Sequence, residues 1–266
     1  MVIQVVFVHG IRTSATMWRP QEEHLAARGN PFTTVDLPGH GTRRDEQFTL
    51  DEAFATIDRA VRASAAHGPV LLVAHSMGGL LSLEYAGRVD APPIAGLIAA
   101  GCTSLPRGRA LLTYRALVRG LDRFPGRGEW ISDRYLELTL PLETRDDFAA
   151  GGYAFDAQDP ALESLEHLDL EAALPRIHVP LWFINGQFDQ LRLHERLFTT
   201  LRPDAELIIV PRTTHLVTAM RPRVFNALLD VALATLERGD GPGERDVEGD
   251  AESDTPASAD VADSPT

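Results

Sequence analysis

Short apolar runs recur along this chain, separated by stretches of helical period, and that alternation leaves few folds open. The runs are Val2 to Val8, Phe32 to Leu37, Val70 to Ala74, Ile94 to Ala100, Leu181 to Asn185 and Glu206 to Val210. A strand that is apolar on both faces must be covered on both, and parallel strands are joined by crossovers long enough to hold a helix. The pattern predicts an α/β fold: a doubly wound, mostly parallel sheet of about six strands with helices on both faces. Two crossovers carry explicit helix signals. Thr49-Leu50-Asp51-Glu52 is a capping-box sequence followed by Leu50, Phe54, Ile57 and Val61 at helical spacing. Pro222 suits a first helical position, where its missing N–H would have no partner anyway, and Phe225, Leu228, Leu229, Ala232 and Leu236 form an apolar face behind it.

One interval breaks the rhythm. From Thr103 to His178 the chain is far longer than a strand-to-strand crossover requires, with helical segments at Ala110 to Leu121 and Ile131 to Leu138 and turn signals at Pro125-Gly126 and Gly151-Gly152. This predicts a helical cap inserted at about residues 103–178 into a catalytic domain of residues 1–238. Its inward side chains are expected to include Leu111, Leu112, Tyr114, Leu117, Trp130, Tyr135 and Leu138, an apolar and aromatic set that either lines a substrate pocket or forms the cap's own core, which helical spacing alone does not decide. Residues 239–266 carry nine acidic side chains against Arg245 and have almost no large apolar residue, so a disordered acidic tail is expected.

The formal charge of −13 is concentrated in that tail, and the remaining body is mildly acidic without a basic stripe. Nucleic acid is therefore not an expected partner. Cys102 is the only cysteine, which leaves no internal disulfide and no thiolate cluster for a metal. The H-E-x-x-H spacing of metal-binding helices is absent, no G-x-G-x-x-G follows the first strand, and Asp36 at the end of a strand is accordingly not read as a ribose-binding acid. No cofactor or metal is expected. No stretch approaches the ~20 apolar residues that span a bilayer, and the apolar start lacks the features of a signal peptide, so a cytoplasmic location away from membranes is expected.

Ser76 carries the strongest chemical signal. It stands in Leu71-Leu72-Val73-Ala74-His75-Ser76-Met77-Gly78-Gly79, between an apolar strand and a helical run. A sharp strand-to-helix turn there would lift the hydroxyl off the sheet edge, and such a turn demands small neighbours, which Gly78 and Gly79 provide. The following helix N-terminus would favour developing negative charge.

With His9-Gly10, Asp36-Leu37-Pro38-Gly39-His40-Gly41, the Ser76 elbow, Gly186-Gln187-Phe188-Asp189 and His215, the chain resembles the α/β-hydrolases of the lid-bearing serine esterase and C–C hydrolase type over roughly residues 2–238. Two positions depart from the family pattern: Ala74 stands where G-x-S-x-G has its first glycine, and Thr214 precedes His215 where glycine is common. The resemblance implies the order nucleophile, acid, histidine, and hence Ser76, Asp189 and His215. The last two follow strand ends and should emerge at the carboxyl edge of the sheet, where open α/β folds place their sites. The resemblance also implies an oxyanion hole from the backbone N–H groups of Ile11 and Met77. His9 and His40 fall in loops resembling the family's structural turns, and His75 is expected to face away from the nucleophile. Arg12, near this turn, is open to two readings: a residue that meets an anionic substrate, or an ordinary exposed loop arginine. The implied activity is hydrolysis of small carboxylic esters through an acyl-enzyme. Thioesters, C–C bonds, lyase or perhydrolase chemistry and slow-turnover ligand reception remain alternatives, and the oligomeric state is left open.

Overall fold

The computed structural model describes residues 2–90 and 92–239, apart from five side chains of one cap helix (Arg109, Ala110, Thr113, Leu117 and Val118). The expected tail lies, beyond Gly239, outside the described residues. Six strands, β1 (Gln4–Val8), β2 (Phe32–Val35), β3 (Val70–His75), β4 (Gly96–Ala100), β5 (Leu181–Gly186) and β6 (Glu206–Val210), form one sheet in the order β2-β1-β3-β4-β5-β6. Every neighbouring pair is parallel.

Side chains of a strand alternate between faces, and the central strands are apolar on both. Val6, Val8, Leu72 and Ala74 point into one core with Ile57 and Val61 of α2 (Leu50–Ala65) and Leu81 of α3 (Met77–Ala86). Val5, Phe7, Leu71 and Val73 point into the other, against Leu25 of α1 (Arg19–Arg28) and Phe225 and Leu229 of a long C-terminal helix, Pro222–Arg238. Burying each such side chain is worth roughly 1.5–3 kcal/mol, so the central strands anchor the fold. Half of the capping box forms: the Thr49 hydroxyl accepts the Glu52 N–H at 3.2 Å, while the Glu52 carboxylate turns to Arg43 and Arg59 rather than back to the cap. Pro222 opens its helix at the first turn.

Between β4 and β5 the chain builds α4 (Gly108–Leu121), α5 (Glu129–Thr139), α6 (Leu142–Ala149), α7 (Phe155–Leu165) and the single turn α8 (Leu170–Ala173). This inserted helical region faces the carboxyl ends of β3, β5 and β6. After β5 come α9 (Glu195–Leu201) and, between β6 and the last helix, the short α10 (Val217–Met220); the last helix is α11. No described helix is long and apolar enough to cross a membrane.

Candidate active site

The elbow forms where the sequence requires it. Ser76 leaves β3 with φ 54° and ψ −118°, a conformation costly for a residue with a Cβ, and α3 begins at the next residue. The turn is held by the Ser76 N–H donating to the Ala100 carbonyl at 2.8 Å. Crowding dictates the flanking glycines. A Cβ on Gly78 would press on the His9 carbonyl and lie 2.7 Å from the Val8 carbonyl oxygen, and one on Gly79 would lie 2.7 Å from Cys102 Sγ. Ala74 is fully buried within β3, so the methyl group at the first motif position is accommodated.

Three side chains from three loops meet here. His215 follows β6, and its Nε2 is 2.9 Å from Ser76 Oγ. Its Nδ1 is 3.1 Å from both carboxylate oxygens of Asp189, which follows β5. Asp189 is held in turn by the Leu191 N–H, which donates to Oδ1 at 2.7 Å. Burial by itself raises the Asp189 carboxyl pKa, but hydrogen bonding from His215, the attraction of His215 and the Leu191 N–H prevail, and the net shift is downward. An ionised Asp189 is therefore the stable form, and it fixes the His215 proton on Nδ1 and leaves Nε2 to accept from the serine.

The loop after β1 approaches from the other side. His9 donates from Nδ1 to the Gly10 carbonyl at 2.7 Å and accepts the Leu37 N–H on Nε2 at 3.0 Å. Both ring nitrogens are used, and burial followed by repulsion from His40 pushes its pKa down to about 3. His9 is thus a neutral brace for the turn, and burial likewise lowers His40. A Cβ on Gly10 would lie 3.1 Å from Ser76 Cβ, so this turn lies directly against the elbow. Ile11 and Met77 both border the cavity at Ser76, and among the described residues neither N–H donates to a backbone group in a turn, loop or cap. The Asp36 carboxylate accepts from the Ala15 N–H and from the N–H and hydroxyl of Thr42, each at 2.8 Å, which makes it a loop tie.

His75 needs correction. Its ring does not turn away from the site but lies 4.9 Å from the His215 ring, and its Nε2 donates to the His215 carbonyl at 2.9 Å. The cause is Gly101: a Cβ there would be 3.3 Å from His75 Nε2 and 3.2 Å from His215 Cε1, so the missing side chain makes room for both rings. Burial, then repulsion from His215, lowers the His75 pKa to about 3.

Two chambers open from Ser76. One, of about 400 Å³, is bordered by His75, His215 and Leu216 below and by Tyr114, Ile131, Tyr135 and Phe148 of the cap. The other, of about 440 Å³, is bordered by Met77, Leu80, Leu105, Leu111, Leu162 and Leu165. Ile11, Tyr114 and Gln190 border both and mark the divide. Of the expected inward set of the cap, Leu111 and Tyr114 face the chambers, and Tyr135 borders one while remaining 44% exposed. Leu112, Trp130 and Leu138 are exposed and border neither chamber, and the Leu117 side chain lies outside the described residues. Gln190 went unnoticed in the sequence, although a residue directly after the Asp189 position has to stand at the same sheet edge.

A family model described as the alpha/beta hydrolase family matches residues 5–228. The chain belongs to the alpha/beta hydrolase family. It is 31% identical over 212 residues to a pimeloyl-[acyl-carrier protein] methyl ester esterase of Xanthomonas oryzae pv. oryzae, covering 70% of this chain and 77% of that protein. It is 30% identical over 180 residues to methylesterase 4 of Arabidopsis thaliana, covering 65% and 66% respectively. Among solved structures, a carboxylesterase of Nitrososphaera gargenis superposes with a TM-score of 0.73 at 17% identity, over 90% of this chain and 92% of that one. A thermophilic esterase of Thermogutta terrifontis gives 0.68 at 20%, over 88% and 90%. At such identities the structural likeness speaks for the fold alone.

Proposed function

We propose that this hydrolase is a serine esterase acting on small carboxylic esters. The carrying observation is the hydrogen-bonded row from Ser76 Oγ through the His215 ring to Asp189, at 2.9 and 3.1 Å. A neutral serine hydroxyl is a weak nucleophile, and this row supplies a base in reach of its proton and an anion to hold the base. Ser76 Oγ attacks the ester carbonyl while His215 Nε2 takes its proton. The oxyanion accepts hydrogen bonds from the Ile11 and Met77 N–H groups. As the tetrahedral intermediate collapses, the C–O bond to the alcohol breaks and His215 returns the proton to the departing oxygen. Water, deprotonated by the same histidine, then releases the acid and restores Ser76. Esterases among the relatives support this reading at the level of bond type.

The two chambers sort the ester. The departing oxygen must meet His215, so the alcohol portion belongs in the chamber bordered by that residue, and the acyl chain belongs in the leucine-rich chamber beside Met77. The test is a fluorophosphonate probe with a graded series of p-nitrophenyl esters. Ser76 is expected to take the label, and Ser76→Ala to lose both label and turnover; a label elsewhere, or turnover that persists in the variant, overturns the assignment.

A further inference from the structure

Arg12 is the cationic side chain bordering the His215 chamber, and no carboxylate borders that chamber among the described residues. It makes no ion pair or hydrogen bond within the described residues, and one terminal guanidinium nitrogen is shielded from solvent without a partner. Its guanidinium lies over the Phe155 ring, whose centroid is 4.6 Å from the guanidinium carbon. The contrast with Arg127 is instructive. Arg127 stacks on the same ring at 4.9 Å, yet its guanidinium is bonded at 2.5 Å to Asp156 and lies 3.6 Å from Asp122. Asp122 is the acid that pulls hardest on Arg12; its Oδ2 lies 3.6 Å from Arg127 and accepts from Gln158 at 3.2 Å, while its Oδ1 is buried without a partner. A guanidinium cannot relieve its burial by losing its proton at neutral pH, so one left without an anion is costly unless a ligand completes it. The backbone also commits Arg12 to this place: its φ of 60° lies in the left-handed region, and the Thr13 hydroxyl closes the turn on the Gly10 carbonyl at 2.8 Å. Of the other polar groups around the chamber, Ser132, Tyr114 and Gln190 can donate, whereas the Tyr153 hydroxyl already donates to Asp133 at 2.8 Å.

We infer that Arg12 selects esters whose alcohol portion carries a carboxylate, bound by its guanidinium in the chamber beside His215. The inference rests on the esterase reading and deepens it: the substrate class becomes an apolar acyl chain joined to a small hydroxy acid. A carboxylate matches the two parallel N–H groups of a guanidinium, and the resulting charge-assisted bonds are made with the departing half of the substrate. Burial lowers the Arg12 pKa against the pull of Asp122, consistent with a cation waiting for a counterion.

The test compares 4-carboxyphenyl butyrate with 4-carbamoylphenyl butyrate, which match in shape and differ in charge. The wild-type protein is expected to favour the carboxylate in kcat/KM by about tenfold or more, the size expected of one charged hydrogen bond shielded from water. Arg12→Gln is expected to bring the ratio to about one, with Arg12→Lys in between. Inhibition of the wild-type protein by 4-hydroxybenzoate against 4-hydroxybenzamide gives a readout that requires no variant, and the acid should bind more tightly. A wild-type ratio near one, or a ratio that Arg12→Gln leaves unchanged while the amide ester still turns over through Ser76, overturns the role of Arg12 and leaves the esterase reading standing. If neither ester is cleaved and Ser76 takes no fluorophosphonate, both readings fall.

Discussion

At the scale of single residues, the assignment that most invites a challenge is the acid, because two aspartates follow the fifth strand. Asp189 lies against the His215 ring, whereas Asp204 is exposed and pairs with Arg202. Asp189→Asn replaces the anion that fixes the imidazole proton on Nδ1, and an amide presents the wrong donor to that nitrogen. A loss in kcat of about 10²- to 10⁴-fold is expected, since misorienting the base leaves only the oxyanion donors and binding to act. Asp204→Asn should leave kcat within about twofold, as exposed ion pairs contribute little. Steady-state rates of the two variants on one p-nitrophenyl ester decide it, and the reverse ranking would move the acid to Asp204. The sequence made Ser76 legible because its constraint is steric and local: Gly78 and Gly79 are demanded by carbonyls and a sulfur that crowd the elbow. His75 was not legible, because the direction of its ring depends on the empty space at Gly101, which is distant in sequence and adjacent only through the β3–β4 pairing.

At the scale of elements, the strands could be read from their apolar runs, since burial on both faces leaves a continuous signature. The cap was legible as an insertion but not in its facing. Along α4 and α5 apolar residues occur on several sides, and helical spacing alone cannot say which side lies over the sheet. Leu111 turns into the leucine-rich chamber, while its neighbour Leu112 and Trp130 on α5 are exposed. Trp130 instead meets Phe124 edge-on, with ring centroids 6.5 Å apart. Tyr135 borders the other chamber, and its hydroxyl is 3.2 Å from that of Thr214, which gives the non-glycine residue before His215 a contact with the cap. Leu111 and Tyr135 should therefore control different halves of the substrate, while Tyr114 of α4 borders both chambers. Leu111→Phe is expected to narrow the acyl chamber and lower the octanoate-to-butyrate ratio in kcat/KM by about tenfold, the order of one or two methylenes of pocket space. Tyr135→Ala should leave that ratio near its original value and alter the preference among alcohols. A kinetic grid of acyl lengths against alcohols measures both effects. An acyl-length shift in Tyr135→Ala with none in Leu111→Phe would exchange the roles of the chambers.

At the scale of the whole molecule, the notable liability is a set of histidines buried in neutral form around the carboxyl edge of the sheet. Burial, followed by neighbouring histidines, lowers His9 and His75 from the ordinary 6.5 to about 3, and burial also lowers His40. The unfolded chain binds protons at these positions once the pH falls below about 6.5, whereas the folded protein does not until far lower. Between those limits the unfolded state holds more protons, so stability rises with pH and is lost as the solution is acidified. His9 and His75 each contribute a slope approaching 1.4 kcal/mol per pH unit across that window. Paired carboxylates such as Asp36 and Asp189 act in the same direction, but their share begins only as unfolded carboxylates protonate near pH 4. In the interval from about pH 7 to about pH 5.5 the histidines therefore dominate, with the partly buried Glu84 carboxyl, whose pKa burial raises, acting in the opposite direction. Urea unfolding followed by tryptophan fluorescence should show a midpoint that falls steadily over this interval with an unchanged denaturant slope, which marks lost stability rather than a changed unfolded state. Trp18 is a suitable reporter because it is fully buried and stacked on Phe7 with centroids 4.8 Å apart. A midpoint that stays level until carboxylates begin to titrate would mean that water or local opening reaches these rings, and that His9 does not hold the turn carrying Ile11 and Arg12 as a neutral brace.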